Sequence, residues 1–168
     1  MGIIGIGTRG NQVHQSFMRN NDVTFVAACE VQRNRLDQFA TKAGGKMATY
    51  GDYRRLLDNK DVEAVLITAP DHWHSPIVVA ACDAGKDVYC EKPVSNASEP
   101  ALRMVEAVRR TKRVVQIGCQ QRSWQHFQDC GKMILDGYLG QINHCLLLFG
   151  GGGGGVPQPP EKPQDPPP

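Results

Sequence analysis

Short apolar runs alternate with amphipathic segments along most of the chain, and this alternation constrains the possible folds more than any other feature. Apolar runs without polar alternation are typical of strands that are covered on both faces. Six of them are predicted strands: 2–6, 23–29, 46–49, 63–68, 87–90 and 113–117. The amphipathic segments predict helices near residues 10–20, 33–43, 52–58, 75–84, 98–111 and 124–136. Strands that alternate with helices predict an α/β fold with a doubly wound parallel sheet.

The ends of several predicted helices carry recognisable signals. Ser98 is a candidate N-cap for the helix over 98–111. Within that helix Leu102, Val105 and either Val108 or Arg109 repeat at helical spacing. A glycine follows three of the helices, where a left-handed residue is favoured: Gly44, Gly85 and Gly137.

The C-terminal end has a different composition from the rest of the chain. A seventh apolar run, 142–149, is a predicted strand, and six consecutive glycines follow it at 150–155. Seven of the 11 prolines lie in 156–168. Such a segment cannot bury enough apolar surface to fold, so 150–168 is predicted to be a Gly/Pro-rich linker or disordered tail.

Composition argues against several classes of partner. The chain has 19 basic and 17 acidic residues, and this net charge of +2 is small and scattered, so we expect no nucleic-acid groove. No apolar run approaches the roughly 18 residues of a membrane helix, so no membrane association is expected.

Cysteine usage and the N-terminus bear on the cellular compartment. The six cysteines contain no C-x-x-C pair, which indicates neither a disulfide framework nor a zinc site. Most lie in apolar strands or helices, where cysteine is usually a small buried hydrophobe. We expect a reducing, cytoplasmic location, or a periplasmic one if an upstream signal peptide has been lost.

A glycine-rich turn follows the first predicted strand. Gly5, Gly7 and Gly10, with Thr8 and Arg9 between the last two, fit G-x-G-x-x-G between a strand and a helix. The first glycine allows the tight turn, the second allows close approach of a pyrophosphate, and the third allows the helix to pack against the strand. This context predicts the Rossmann arrangement with a dinucleotide on the N-terminus of the helix.

Glu30 ends the second predicted strand, 20 residues after Gly10. This is the position of the acid that binds the adenosine ribose hydroxyls, and its carboxylate would repel a 2′-phosphate. We therefore expect NAD as the cofactor. NADP stays possible because Arg33 and Arg35 lie just beyond Glu30.

The loop after the fourth predicted strand, 68–74, should lie at the carboxyl edge of the sheet, where ligands bind. It contains two histidines, His72 and His74. No cysteine or third histidine accompanies them, so we predict no metal site.

Four segments together resemble a known family. They are the turn 5–10, the loop 70–74, the block 84–93 with the sequence AGKDVYCEKP, and the segment 118–123. In this combination the chain, from residue 2 to about 149, resembles the Gfo/Idh/MocA oxidoreductases.

The resemblance implies roles for particular residues. Lys92 would lie beside the nicotinamide and the reacting hydroxyl as the catalytic residue, and the Lys92–Pro93 bond is a candidate cis peptide. Glu91 would help hold the nicotinamide end. The other residues implied along the cofactor are Pro70, Asp71, His74, Gln121 and Arg122.

The resemblance also implies a domain plan. Residues 1–122 would form the NAD(P)-binding domain, and 123–149 a connecting helix and the first strand of a missing α/β C-terminal domain. That domain would complete the site for a small sugar or polyol and would carry contacts between copies in a homo-oligomer. The leading hypothesis is the nucleotide-binding part of a sugar or polyol oxidoreductase. The alternatives are an NAD-dependent glycosidase of the same family and a non-catalytic NAD(H)-binding module.

Overall fold

The structure is a computed structural model that describes residues 1–146, and its centre is one six-stranded parallel sheet. The strand order is β3-β2-β1-β4-β5-β6, and every neighbouring pair is parallel. This is the order of two mononucleotide-binding halves that meet between β1 and β4. The predicted doubly wound Rossmann sheet is therefore confirmed.

The strands alternate with helices along the chain. The strands are β1 (Gly2–Ile4), β2 (Ala27–Cys29), β3 (Ala48–Tyr50), β4 (Ala64–Ile67), β5 (Asp87–Glu91) and β6 (Val115–Gly118). The helices are α1 (Thr8–Phe17), α2 (Arg33–Lys42), α3 (Tyr53–Leu57), α4 (Asp71–Asp83), α5 (Ser98–Thr111) and α6 (Gln125–Leu135), with a 3₁₀ helix at Gln120–Ser123.

Both faces of the sheet are buried, as the continuous apolar runs predicted. Successive residues of a strand point to opposite faces, so Ile3 and Leu66 pack on the side of α1 and α2. Ile4 and Ile67 pack on the opposite side, with α3, α4 and α5. The sheet is thus anchored by two cores, which hold its carboxyl edge in place.

Helix α4 begins at Asp71, four residues before its predicted start. Its first turn contains a bond from the Trp73 N–H to the Pro70 carbonyl at 2.8 Å. Pro76 lies inside the helix. Proline has no N–H to donate to the helical hydrogen-bond pattern, so it is favoured in the first turn of a helix. The prediction started the helix at residue 75, directly before Pro76, and therefore missed the turn that precedes it.

Helix α5 has the predicted bounds but buries a different face. Its N-cap is Ala97 and no side chain caps it, so the predicted cap by Ser98 is wrong. Leu102 is 62% exposed, whereas Met104 and Ala107 are buried. Both sets of residues follow helical spacing, and of the predicted set only Val108 packs against the core. The predicted glycine ends are confirmed by positive φ angles of 81°, 74° and 84° at Gly44, Gly85 and Gly137.

The described chain forms two compact units, the first being Met1–Gly118 and the second starting at Cys119. The second contains the 3₁₀ helix and α6, which has no buried residue. The strand predicted over 142–149 is wrong for residues 142–146, which form no regular element, while 147–149 and the predicted tail 150–168 lie outside the described residues. The boundary after residue 122 stays a prediction. Within residues 1–146 no helix is long and apolar enough to cross a membrane.

The six cysteines are free and divide into two groups. Cys29, Cys82 and Cys90 are buried, which fits the expectation of small buried hydrophobes. Burial raises the pKa of the Cys29 and Cys90 thiols to about 12. Cys119, Cys130 and Cys145 are exposed, so that expectation is wrong for half of the cysteines.

This division predicts selective alkylation. Iodoacetamide at about pH 8 should modify the three exposed cysteines of the native chain, since the reagent can reach their sulfur atoms. Cys29, Cys82 and Cys90 should react only after denaturation, because they are shielded and their thiol pKa values are raised. Mass spectrometry of peptides identifies the modified sites. Native alkylation of Cys90 would contradict the buried position of β5.

Candidate dinucleotide-binding site

The turn between β1 and α1 lies directly against the chain that follows β4. Gly5 has a φ of 89°, and a Cβ there would lie 2.7 Å from the Ala69 nitrogen. A Cβ on Gly10 would collide with the Gly5 carbonyl oxygen and lie 2.7 Å from Thr68 Oγ1. Thr68 Oγ1 donates a hydrogen bond of 2.5 Å to that same oxygen. Only glycine fits at both positions.

The α-carbon of Gly7 faces open space, in contrast to the α-carbons of Gly5 and Gly10. A Cβ built on Gly7 would meet no atom within 4 Å. Gly7 is also the N-cap of α1, no side chain caps that helix, and Thr8 is its first residue. The Asn11 side-chain amide donates to the Gly7 carbonyl at 3.0 Å and fixes the turn. An uncapped helix N-terminus beside open space has the properties of an anion site.

Glu30 lies next to this turn, just beyond the end of β2. Its Oε2 accepts a hydrogen bond of 2.7 Å from the Ile6 N–H, and its Oε1 accepts one of 3.0 Å from the Gln32 N–H. A carboxylate has about four acceptor positions, so these two bonds orient the group and leave capacity for hydroxyl donors. Arg33 is paired with Asp37 on the surface of α2 at 3.0 Å.

Arg9 and Glu91 form an ion pair that the sequence did not predict, although both were named as site residues. Arg9 Nη2 donates to Glu91 Oε1 at 2.7 Å, and the Glu91 side chain is only 3% exposed. The hydrogen bond from Arg9 to Glu91 raises the pKa of the guanidinium. Within the described chain, Arg9 Nε is buried without an acceptor. An unmet donor of this kind costs about 1–3 kcal/mol, so an acceptor from a bound group would be favourable there.

The segment after β5 holds the candidate catalytic lysine. The Lys92–Pro93 bond is cis, as predicted, and the Lys92 side chain is exposed. His74 is 2% exposed, and its ring nitrogens lie 2.6 Å from the Pro93 carbonyl oxygen and 2.9 Å from that of Ala69. The ring thus bridges the segments after β4 and β5 through main-chain oxygens.

The remaining predicted residues lie in two places. Pro70 is the N-cap of α4, and Asp71 is its exposed first residue. Gln121 and Arg122 belong to the second compact unit, on the exposed 3₁₀ helix, and their place along a cofactor stays a prediction.

Two further residues of the site lie in segments that the sequence singled out, 68–74 and 118–123, but were given no role of their own there. Thr68 bonds to the glycine turn, and Gly118 lies opposite Glu91 in the register of β5 and β6. A Cβ on Gly118 would lie 3.0 Å from Glu91 Oε1. Each comes at the carboxyl end of a strand, and that shared position is the signal that could have identified them.

The carboxyl edge of the first unit therefore combines features that suit a dinucleotide. Free helix N–H groups fit a pyrophosphate, and the oriented Glu30 carboxylate fits ribose hydroxyls. The open space at Gly7 allows the ligand to approach the backbone. On this geometry the residues present fit the group.

Comparison with known proteins agrees with this geometry. The family model for the Gfo/Idh/MocA proteins, described as an oxidoreductase family with an NAD-binding Rossmann fold, matches residues 1–119. The chain is 36% identical over 143 residues to inositol 2-dehydrogenase of Salmonella typhimurium, covering 83% of this chain and 42% of that protein. It is 28% identical to myo-inositol 2-dehydrogenase of Thermotoga maritima, again covering 42% of the relative. The chain thus spans about two fifths of these curated relatives.

Solved structures are similar over the same region. Myo-inositol 2-dehydrogenase from Lactobacillus plantarum has a TM-score of 0.75 at 27% identity, over 84% of this chain and 42% of that one. The WlbA dehydrogenase from Bordetella pertussis, solved with NADH and UDP-GlcNAcA, has a TM-score of 0.78 over 84% of this chain and 43% of that one. Its identity is 22%, so this second likeness concerns the fold alone. With the family model matching more than half of its length, the chain belongs to the Gfo/Idh/MocA oxidoreductase family and contains the NAD-binding Rossmann fold of that family.

Proposed function

We propose that this chain binds NAD along the carboxyl edge of its sheet as the cofactor-binding part of an oxidoreductase. The reaction is hydride transfer between the nicotinamide and a hydroxyl-bearing carbon of a sugar or polyol. The observation that carries the proposal is the open Gly7 backbone at the uncapped start of α1, with the Glu30 carboxylate fixed beside it.

The first mononucleotide half, β1 to β3, is proposed to hold the adenosine side. The N–H groups at Gly7, Thr8 and Arg9 bind the pyrophosphate, with the positive end of the α1 dipole behind them. Glu30 accepts hydrogen bonds from the adenosine ribose. Its two bonds to main-chain N–H groups hold the carboxylate in place for this role.

The second half, β4 to β6, is proposed to hold the nicotinamide side. When bound, the nicotinamide supplies the carbon that accepts or returns hydride. Pro70, Asp71 and Glu91 lie at the ends of β4 and β5, where this half of the ligand binds. The buried His74 shapes this edge by tying the Ala69 and Pro93 main chains.

Lys92 is proposed as the catalytic residue. Its amine, when neutral, takes the proton of the substrate hydroxyl while hydride leaves the carbon for the nicotinamide, and the resulting ammonium donates a hydrogen bond to the carbonyl oxygen that forms. Because Lys92 is exposed at the carboxyl edge, it is available to a ligand that enters there.

The substrate class is a further part of the proposal. A polyol or sugar is supported by relatives that are named inositol 2-dehydrogenases, at up to 36% identity. Those relatives are more than twice as long as the region matched, so turnover is proposed for a protein that carries this domain together with a substrate-binding part. A sugar substrate and a homo-oligomeric assembly would both involve that further part.

The proposal predicts a preference for NAD over NADP. The wild-type chain should bind NAD about tenfold more tightly, because a like charge near the 2′-phosphate costs on the order of 1 kcal/mol or more. Glu30→Gln should reduce the ratio to about threefold or less. Isothermal titration measures both affinities, and Glu106→Gln on exposed α5 is the control. Tighter NADP binding by the wild type would contradict the role of Glu30.

The glycine turn predicts different effects for two alanine variants, one mainly on NAD binding and one on stability. Gly7→Ala should lower the free energy of unfolding by less than about 1 kcal/mol, since its Cβ meets no atom, yet weaken NAD binding about tenfold or more. Gly10→Ala should lower that free energy by about 1–3 kcal/mol, because its Cβ collides with fixed backbone. Urea unfolding and NAD titration measure the two effects. Normal NAD binding by Gly7→Ala would place the ligand elsewhere.

Lys92 is tested in a full-length protein that carries this domain. Lys92→Met should lower kcat for NAD-linked oxidation of myo-inositol by about 100-fold or more, while the Kd for NAD changes less than about threefold. NADH absorbance follows the reaction, and Lys60→Met at an exposed site is the control. Normal turnover by the Lys92 variant would refute the assignment.

A further inference from the structure

The Arg9–Glu91 ion pair joins the two mononucleotide halves of the sheet. Arg9 lies in the first turn of α1, directly after β1, and Glu91 is the last residue of β5. Strand β4 lies between β1 and β5 in the sheet. The guanidinium therefore reaches across the end of β4, over the point where the two halves meet.

The Glu91 carboxylate has a narrowly defined position. It is 3% exposed, with Oε1 bound to Arg9 at 2.7 Å and Oε2 accepting from the Lys92 N–H at 3.3 Å. Gly118 faces it from β6, where a Cβ would lie 3.0 Å from Oε1. A buried carboxylate is costly unless it is paired, so Glu91 depends on the guanidinium from the other half.

A surface ion pair with a similar nitrogen–oxygen distance differs from the Arg9–Glu91 pair in its exposure to water. Arg110 and Asp83 approach to 2.6 Å, but their side chains are 60% and 47% exposed. Exposed pairs contribute little to stability or position, because water and salt screen them. Arg9 is 41% exposed, yet its partner is buried, so the cost of losing the cation falls on Glu91.

We propose that Arg9 is a positioning residue, which acts through Glu91 to hold the main chain of Lys92 and so align the nicotinamide half of the site with the adenosine half. The inference rests on the proposed function, since it assumes that the chain binds a dinucleotide across both halves. Gly118 is the second member of this arrangement, because its missing side chain leaves the space that the Tyr89 hydroxyl and the Glu91 carboxylate occupy.

The inference separates two ligands. ADP carries the adenosine and both phosphates but nothing for the second half, whereas NAD fills both halves. If Arg9 acts through Glu91, its loss weakens NAD binding and spares ADP. If Arg9 only contacts phosphate, or only supports the fold, both ligands lose affinity alike.

The experiment titrates the 168-residue chain with NAD and with ADP separately. The wild type should bind NAD about tenfold more tightly than ADP, and Arg9→Met should reduce this preference to about threefold or less. The Kd for ADP should change by less than about threefold. Arg110→Met is the matched control and should keep the wild-type preference, because it removes an arginine from an exposed ion pair that is not part of the glycine turn.

Two further variants keep the inference testable if Arg9→Met does not fold. Gly118→Ala changes no charge but crowds the Tyr89 hydroxyl, at 2.8 Å, and Glu91 Oε1, at 3.0 Å, so it disturbs the surroundings of the carboxylate and should also reduce the preference for NAD. The double variant Arg9→Met with Glu91→Leu removes both charges and avoids a stranded buried carboxylate. Its preference should be no lower than that of Arg9→Met, because two residues that act through one contact are not additive. Circular dichroism confirms that each variant is folded.

The possible results lead to distinct conclusions. A preference unchanged by Arg9→Met, equal losses for both ligands, or a preference of the double variant clearly lower than that of Arg9→Met would overturn the positioning role. Equal affinity of the wild type for NAD and ADP would overturn it as well. The nicotinamide half of the site would then add nothing to NAD binding, and its alignment by Arg9 would have no effect. A wild-type chain that binds neither ligand would instead overturn the proposed function.

Discussion

The close contact between the β1–α1 turn and the end of β4 is the constraint on which the candidate site depends. Gly5 and Gly10 have no room for a side chain, and the Thr68 hydroxyl closes the contact with a bond to the Gly5 carbonyl. This contact fixes where α1 begins and directs its uncapped N-terminus to the carboxyl edge. The backbone at Gly7 is open to a ligand, and the packing of Gly5 and Gly10 fixes its position.

A buried charge links this turn to the other half of the sheet. Glu91 is nearly inaccessible, and its carboxylate is balanced by a guanidinium from the glycine turn. Its other oxygen accepts a hydrogen bond from the Lys92 N–H, and Gly118 lies opposite Glu91 in the register of β5 and β6. His74 adds a second tie, from the Pro93 carbonyl to that of Ala69. The segment that carries the candidate catalytic lysine is therefore held by buried polar contacts on two sides.

Local patterns predicted the elements better than their packing. Continuous apolar runs identified the six strands of the sheet, because strands buried on both faces leave few polar positions. The buried face of α5 and the early start of α4 were missed. In α5 two residue sets have helical spacing, and the neighbouring helix decides between them. For residues 142–146 a run of apolar residues suggested a strand, but a strand also needs a partner for its main chain, which sequence pattern does not supply.

The sequence by itself determined the alternation of strands and helices, the glycine turn, the acid 20 residues after it and the family resemblance. The strands, helices and turn are short-range patterns, because periodicity and turn chemistry act over a few residues. The spacing of the acid and the family motifs are visible along the chain without knowing which segments meet in the fold. Only the tertiary structure decided that Arg9 pairs with Glu91, 82 residues away, and that Thr68 and Gly118 complete the surroundings of the site. Such contacts arise where parallel strands from distant parts of the chain end at one edge. Their partners depend on strand order and register, which no single segment encodes.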